Sequence, residues 1–258
     1  MSKQLKVLAA ISVFGLIVGM TLPAFAQSEV KEKAPMYCYV GEWAIPRAQW
    51  ADMEKADAAD QPVLQKAMSD GLLIGYGSDV NLVHQPDGPT HDDWWCSSSM
   101  AGALNVLDQF HKSGSTTSAV LESATKHWDE VLVSRYYNWK PGTMKAGYTH
   151  GSVYKLKADA SDDMIDTLAK SAIVPLMEKM LAAGTIMEYE IDTESIHTQA
   201  PGTFYLFYLC PTADGIDKVN AALRDTLKMN PLMGPAFDSA VDFSGHRDYL
   251  DRTNATYK

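Results

Sequence analysis

The stretch GLLIGYGSDVNLVH (71–84) comes back 113 positions later, loosely rewritten, as GTIMEYEIDTESIH (184–197). Gly71 falls on Gly184, Tyr76 on Tyr189, Asp79 on Asp192 and His84 on His197. The same offset sets Val40 against Val153, Ala56 against Ala169, Pro62 against Pro175 and Lys66 against Lys179. Beyond the stretch it sets Thr90 against Thr203, Gly102 against Gly215 and Val106 against Val219. A fixed offset held without gaps is the mark of a repeated structural unit.

The order of elements repeats with it. YCYVGEWAI reads as a strand by its aromatic and β-branched content. Residues 47–70 follow as a helix, with Trp50, Met53, Ala56, Val63, Leu64 and Met68 on one face and Gly71 as the stop. The opening stretch is the next strand, then come the loop QPDGPT, the strand DDWWCSS and the helix MAGALNVLDQFHKSG. The second half runs GSVYKLKA, SDDMIDTLAKSAIVPLMEKMLAAG, TIMEYEIDTESIH, TFYLFYLC and ADGIDKVNAALRDTLKM. Each half reads β-α-β-β-α, with room for a last strand in 130–139 and in 239–250. A helix is expected around SAVLESATKHWDEV.

This order is that of the ferredoxin-like split βαβ unit. Two such units in one chain resemble the dimeric α+β-barrel superfamily, here fused in tandem. The resemblance implies an α+β fold of two β-α-β-β-α(β) repeats forming a pseudo-dimeric barrel, in which one chain suffices as a monomer. The alternative is two ferredoxin-like domains side by side. Members of the superfamily include haem-degrading and haem-dependent enzymes, cofactor-free oxygenases, isomerases and proteins of no known activity. Their ligands usually sit between the sheet and its helices.

The N-terminus reads as a leader. Lys3 and Lys6 precede the apolar run VLAAISVFGLIVGM, and Ala24 and Ala26 stand where signal peptidase needs small side chains. We therefore expect a signal peptide over 1–26, a first repeat over 27–139 and a second over 140–258. The run is short for a membrane span, which takes roughly 20 residues, and no Cys at the cut supports a lipid anchor. Export to the periplasm, or secretion, follows. A formal net charge of −10 argues against nucleic acid and anionic membrane surfaces as partners. It suits a small apolar or aromatic molecule.

Alternation along a strand puts Tyr76, Ser78, Val80, Leu82 and His84 on one face, and Tyr189, Ile191, Thr193, Ser195 and His197 on its counterpart. The opposite face of the second strand carries Glu188, Glu190, Asp192 and Glu194, expected to meet solvent. This reading gives two pseudo-symmetric pockets, each with a phenol and an imidazole, of which one is open and one filled. The plainer alternative is that the Tyr packs in the core and the His ends the strand. SRYYNW and GHRDYLDR set Arg135 against Arg247 after a one-residue slip, and His246 stands beside Arg247 and Asp248. An inward Arg holds a carboxylate, and a His between cation and anion is easily tuned; the alternative is a surface ion-pair cluster. The candidate catalytic residues are thus His84, His197 and His246, and the candidate substrate-binding residues Tyr76, Tyr189, Arg135 and Arg247. His84, His91, Asp92 and Asp93 cluster like metal ligands, but the second half has no counterpart, and a tightly bound metal is not expected. Trp94 and Trp95 point to opposite faces, so only one lines a given pocket.

Three function classes remain open. One is an exported small-molecule enzyme using His, Tyr and Arg as acid, base and anchor on an aromatic or otherwise apolar substrate. Another is a non-catalytic binder of haem or an aromatic ligand, for which His84, His197 and His246 are the candidate axial ligands. The last is a structural protein. In the ferredoxin-like order the first and third strands are adjacent and antiparallel, which brings Cys38 beside Cys96 as a disulfide. Gly151 and Leu209 occupy the matching places of the second half, and Cys210 is left as a buried thiol. The alternative is three unpaired core cysteines.

Overall fold

The computed structural model describes residues 32–258; the leader expected over 1–26 lies outside them. The elements are β1 Met36–Trp43, α1 Trp50–Ser69, β2 Gly75–Asn81, β3 His91–Ser97, α2 Met100–Ser113, the short α3 Ala119–Glu122 and β4 His127–Trp139. They continue as β5 Thr143–Met144, β6 Tyr148–Lys155, α4 Met164–Leu168, α5 Val174–Ala182, β7 Glu188–Ile196, β8 Thr203–Cys210, α6 Ala213–Met229, α7 Met233–Ala240 and β9 Arg247–Tyr257. A π-helical turn, Ala169–Ile173, joins α4 to α5.

Neighbouring strands run β2-β3-β1-β4-β7-β8-β6-β9, and a β2–β9 pairing closes the ring. All these pairings are antiparallel. The result is a mixed α+β fold around a closed eight-stranded antiparallel barrel. The short β5 adds to the end of β9.

Several matched glycines do the same work twice. Gly71 and Gly184 follow their helices with φ of +73° and +71°, the left-handed conformation that lets the chain leave a helix at little cost. Gly102 and Gly215 let α2 and α6 approach the ends of β3 and β8. A Cβ on Gly102 would collide with Ser97 Oγ, and one on Gly215 would lie 3.0 Å from Cys210 Sγ. Ser99 caps α2 by accepting from the Gly102 amide at 3.0 Å.

Strand register refines the alignment. Gly75↔Cys96 and Glu188↔Leu209 keep the offset of 113 for β2/β7 and β3/β8. Cys38 pairs with Cys96, whereas Leu209 pairs with Thr149 and Gly151 with Phe207. The counterpart of Cys38 is therefore Thr149, and β6 has slipped by two residues relative to the expected match of Val40 with Val153. Glu42 faces Trp128 as Val153 faces Arg247, so Arg247 corresponds to Trp128 and not to Arg135.

Two expected elements differ. HWDEV belongs to strand β4, because Trp128, Glu130 and Leu132 alternate into the barrel. The last strand begins at Arg247, after α7 has used residues up to Ala240.

The most consequential difference concerns β7. Glu188, Glu190, Asp192 and Glu194 do not meet solvent; they are 8%, 7%, 1% and 7% exposed. Closing the sheet turns this face into the barrel interior, while Tyr189 and Ile191 pack under the helices and are equally buried.

Cys38 and Cys96 form a disulfide across β1 and β3, and Cys210 is a buried free thiol, its pKa pushed up by burial to about 12. With the bridged positions 58 apart in sequence, the chain-entropy account gives the bond about 4 kcal/mol. Non-reducing peptide maps should show the Cys38–Cys96 link, and Cys38→Ser with Cys96→Ser should lower stability by about 2–4 kcal/mol in chemical unfolding.

Candidate functional site

Two cavities flank the sheet. The larger, of about 710 Å³, is the barrel interior. The smaller, of about 430 Å³, is a cleft between the sheet and the helices of the first half.

The cleft is built from α1, β1–β3, α2 and the start of β4. Its apolar wall is Tyr39 stacked on Trp95 with ring centroids 4.6 Å apart, Trp95 against Phe110 at 5.2 Å, and Leu64 and Leu107. Trp95 is fixed because its Nε1 donates to the Ala103 carbonyl at 2.9 Å. The Tyr76 hydroxyl donates to Gln61 Oε1 at 3.2 Å, and its ring stacks on Tyr257 at 4.6 Å.

Polar groups enter this wall from α1 and the outward face of β2–β3. Asp57, Asp60, Gln61, Ser78 and Asp93 all line the cleft. Burial, then the charge of Asp60, pushes Asp57 up to about 7, and its Oδ1 has no hydrogen-bond partner. Asp93 lies well above the usual carboxylate range, through burial first and then the charges of Asp57, Asp60 and Asp79. One carboxyl poised near neutrality thus lies beside another that keeps its proton.

The second half lacks this group. At the offset of 113, Ser78 and Asp93 become Ile191 and Leu206, both buried, and Gln61 becomes Val174. Ile173, the residue matching Asp60, packs against the Phe204 cluster. Tyr189 retains its hydroxyl partner, donating to Glu178 Oε1 at 2.6 Å.

A different pair is common to both halves. His127 stacks on Trp43 at 4.9 Å, its Nδ1 lies 3.0 Å from the Glu42 carbonyl, and its Nε2 lies 3.1 Å from Asp129 Oδ2. His246 stacks on Tyr154 at 4.5 Å, with Nδ1 2.9 Å from the Val153 carbonyl and Nε2 3.4 Å from Asp248 Oδ2. The hydrogen bond to Asp129 raises the pKa of His127. The two histidines occupy equivalent register positions, and each ties the start of a last strand to the end of a first.

The sequence candidates are distributed as follows. His84 and His197 are exposed beyond the ends of β2 and β7 and line neither cavity, His84 resting edge-on against Trp50. The shared Tyr–His face therefore ends before the histidines, because β2 stops at Asn81 and β7 at Ile196. His246 has both ring nitrogens engaged. Arg135 is exposed, with Nε 3.1 Å from Glu32 Oε1. Arg247 lies at the barrel mouth. Of the candidate catalytic and substrate-binding residues only Tyr76 reaches the cleft. Ser78 and Asp93 were legible, one on the Tyr76 face and the other as a metal-like ligand, but Asp57, Asp60 and Gln61 were not, because agreement between the two halves marks shared residues and these differ. The mismatches at Ser78/Ile191 and Asp93/Leu206 carried the signal.

The cleft is a poor match for haem: of its two histidines, His111 stands exposed at the rim and His127 has both ring nitrogens engaged. His246 has no free nitrogen either, and Asp57, Asp60, Asp93 and Asp129 line the cleft where haem would bring two further carboxylates. Among the described residues, one group of three metal-ligating atoms lies within 4.8 Å: Cys38, Cys96 and Glu190, whose two sulfurs are bonded to each other. No described helix is long and apolar enough to cross a membrane.

No protein-family model matches the sequence, and no curated protein matches it. Solved structures do. A candidate monooxygenase from Lactobacillus acidophilus NCFM superposes with a TM-score of 0.65 at 10% identity, over 88% of this chain and 97% of that one. Another candidate monooxygenase, from Fusobacterium nucleatum subsp. nucleatum, gives 0.60 at 9% identity, over 88% and 95%. An anthrone oxidase-like protein gives 0.51 at 8% identity, over 87% and 93%. These likenesses are of fold.

The buried acids set the pH dependence of stability. Asp57 is raised to about 7, Asp251 to about 8 and Glu42 to about 7, each chiefly by burial. A raised carboxyl keeps in the folded chain a proton that the unfolded chain releases. Its contribution is complete below the unfolded value near 4 and is lost as pH rises through 7 to 8. Glu190 works the other way: Lys258 holds it low against burial, so its contribution is lost only in acid. Thermal melts should show Tm falling from pH 5 to 8.5. Asp251→Asn should flatten that fall and raise Tm at pH 8, at about 2–4 °C per kcal/mol relieved.

Proposed function

From a chain with the dimeric α+β-barrel fold, we propose a small-molecule enzyme whose active site is the first-half cleft. Its chemistry is removal of a proton from a neutral, aromatic substrate. Asp57 is the base. A base works best with a pKa near the working pH, and its free Oδ1 has no protein partner. Asp93 is the proton-bearing partner, donating a hydrogen bond to the substrate oxygen on which charge develops. Tyr39, Trp95 and Phe110 form the surface on which the ring lies.

The observation that carries this reading is the asymmetry of the halves. Both keep the strand order, the glycines and the His–Asp pins, so these are architecture. Only the first half spends half-buried positions on Asp57, Asp60 and Asp93, where the charge of Asp60 raises Asp57 and both raise Asp93, at a cost in stability. His127 and His246 are on this account positioning pins and not bases.

The same reading takes the chain as a tandem duplication of a ferredoxin-like unit, over 27–139 and 140–258. The order β2-β3-β1-β4 beside β7-β8-β6-β9 supports it. Since one chain supplies both halves of the barrel, a monomer suffices. Removal of the 1–26 leader and export fit a disulfide, which persists in oxidising compartments.

Anthrone is the first probe, because its methylene proton is weakly acidic and one structural relative is named for it. Deuterium exchange at that carbon, followed by NMR together with a set of hydroxylated aryl ketones, should be catalysed by the wild type. Asp57→Asn should slow it by about 10²–10⁴-fold and remove a pH–rate limb near 7. A folded wild-type protein that exchanges none of these compounds, or an Asp57→Asn variant as fast as wild type, would overturn the reading.

A further inference from the structure

The barrel interior is a second cavity, on the other side of the sheet from the cleft. One end already shows what it binds. Lys258, its side chain 2% exposed, places Nζ 2.5 Å from Glu188 Oε1 and 2.6 Å from Glu190 Oε1. The ammonium also lies 4.7 Å from the Trp94 ring centroid and 4.8 Å from that of Trp139. Two carboxylates and two indoles are a receptor for a primary ammonium. Gly75 and Gly77 make the room: a Cβ on Gly75 would meet Lys258 Cδ at 2.6 Å, and one on Gly77 would meet Trp94 at 2.5 Å.

The other end repeats the acids without the lysine. Glu42, Asp79, Asp92, Glu130 and Asp251 line the same cavity. Among the described residues none of the five is in a salt bridge, and Lys155 and Arg247, at the mouth, pair with none of them. Asp79 is held by Trp94 Nε1 at 3.1 Å and Thr149 Oγ1 at 3.1 Å, and Glu130 by Gln199 and Tyr205. These neutral donors bring no positive charge to the five carboxyls, which burial and mutual crowding hold toward their protonated forms. Asn81, 4% exposed and on the cavity wall, has a carbonyl Oδ1 with no partner, an acceptor that awaits a donor.

The cavity is too wide at these acids for a bare ion. No three of their oxygens lie within 4.8 Å of one another, so they cannot close a metal shell. Trp128, Tyr205 and Phe207 add aromatic surface, and about 710 Å³ is the size of a pocket for a small organic molecule.

We propose that the barrel interior binds a protonated primary amine with an apolar body, its ammonium among Glu42, Asp92, Asp251 and Asn81 and its body along Trp128, Tyr205 and Phe207. The ammonium supplies the donor that Asn81 Oδ1 lacks and the positive charge that lets the crowded carboxyls ionise. The cavity thereby takes a ligand of opposite character to the neutral ring proposed for the cleft.

Calorimetric titration with 2-phenylethylamine hydrochloride tests this, with 2-phenylethanol as the uncharged isostere and calcium chloride as the ion. One amine should bind per chain, and the alcohol should bind at least tenfold more weakly. Glu42→Gln and Asp251→Asn should each weaken the amine tenfold or more. Both variants remove a repelling charge, so thermal melts should show them folded. Asp57→Asn, in the cleft, should leave amine binding unchanged, which separates failure here from failure of the proposed activity. Equal binding of amine and alcohol, no heat with folded wild-type protein, displacement of the amine by calcium, or loss of binding in Asp57→Asn alone would each overturn the proposal.

Discussion

Closing the sheet into a barrel takes the inner face of every strand from water, and along β7 helices cover the outer face as well; this constraint governs the rest of the molecule. Each strand has one face toward the barrel axis and one toward the helices. In β7 the two are Glu188, Glu190, Asp192 and Glu194 against Tyr189 and Ile191, and all six are buried. Carboxylates on the inner face must therefore be neutralised, protonated or solvated by protein dipoles. All three solutions occur. Lys258 neutralises Glu190, burial keeps Asp192 well above the usual range, and Glu194 accepts from the Thr198 and Gln199 amides at 3.0 Å.

On the proposed duplication, the two halves act as an internal control on which residues serve the fold. Gly71 and Gly184, Gly102 and Gly215, and the His127–Asp129 and His246–Asp248 pairs do identical work in both, so each is explained by architecture. Cys38–Cys96 has Thr149 and Leu209 in its place in the second half, and there the apolar Phe204 cluster and α7 supply packing. Ser78 and Asp93 against Ile191 and Leu206 is a contrast that packing does not demand. The apolar version is the cheaper way to fill the space, and the costly version surrounds a cavity.

Much of the fold was legible in the sequence. Gly71 and Gly184, the order of hydrophobic runs and the two cysteines gave the barrel and its disulfide, because helix stops and strand adjacency are local or follow from topology. The inner and outer faces were not legible. Alternation marks two faces but carries no sign, and the usual rule that the charged face meets water fails when the sheet closes. The slip of β6 by two residues was hidden for a similar reason: a shift of two preserves which face every side chain occupies. His84 and His197 keep the offset but lie just past the strand ends. The true equivalents, His127 and His246, are 119 apart, beyond the reach of a single ungapped offset.

The two cavities share a wall, and charge is felt through it. Trp94 lines both, its Nε1 donating to Asp79 inside the barrel while its neighbours on β3, Asp93 and Trp95, face the cleft. Asp79 is among the charges that raise Asp93, and it also raises Asp92 and Asp251. A cation in the barrel makes the potential at Asp79 and Asp92 more positive, and so eases ionisation of Asp93 across the sheet. By linkage, loss of the Asp93 proton favours the cation by the same free energy. The sheet is one strand layer thick, and the medium between the carboxyls is protein and not water, so salt screens this coupling far less than it screens surface charges. Asp93, the group proposed to hold the proton in the cleft, is thus the cleft carboxyl that a charge in the barrel reaches, through Asp79.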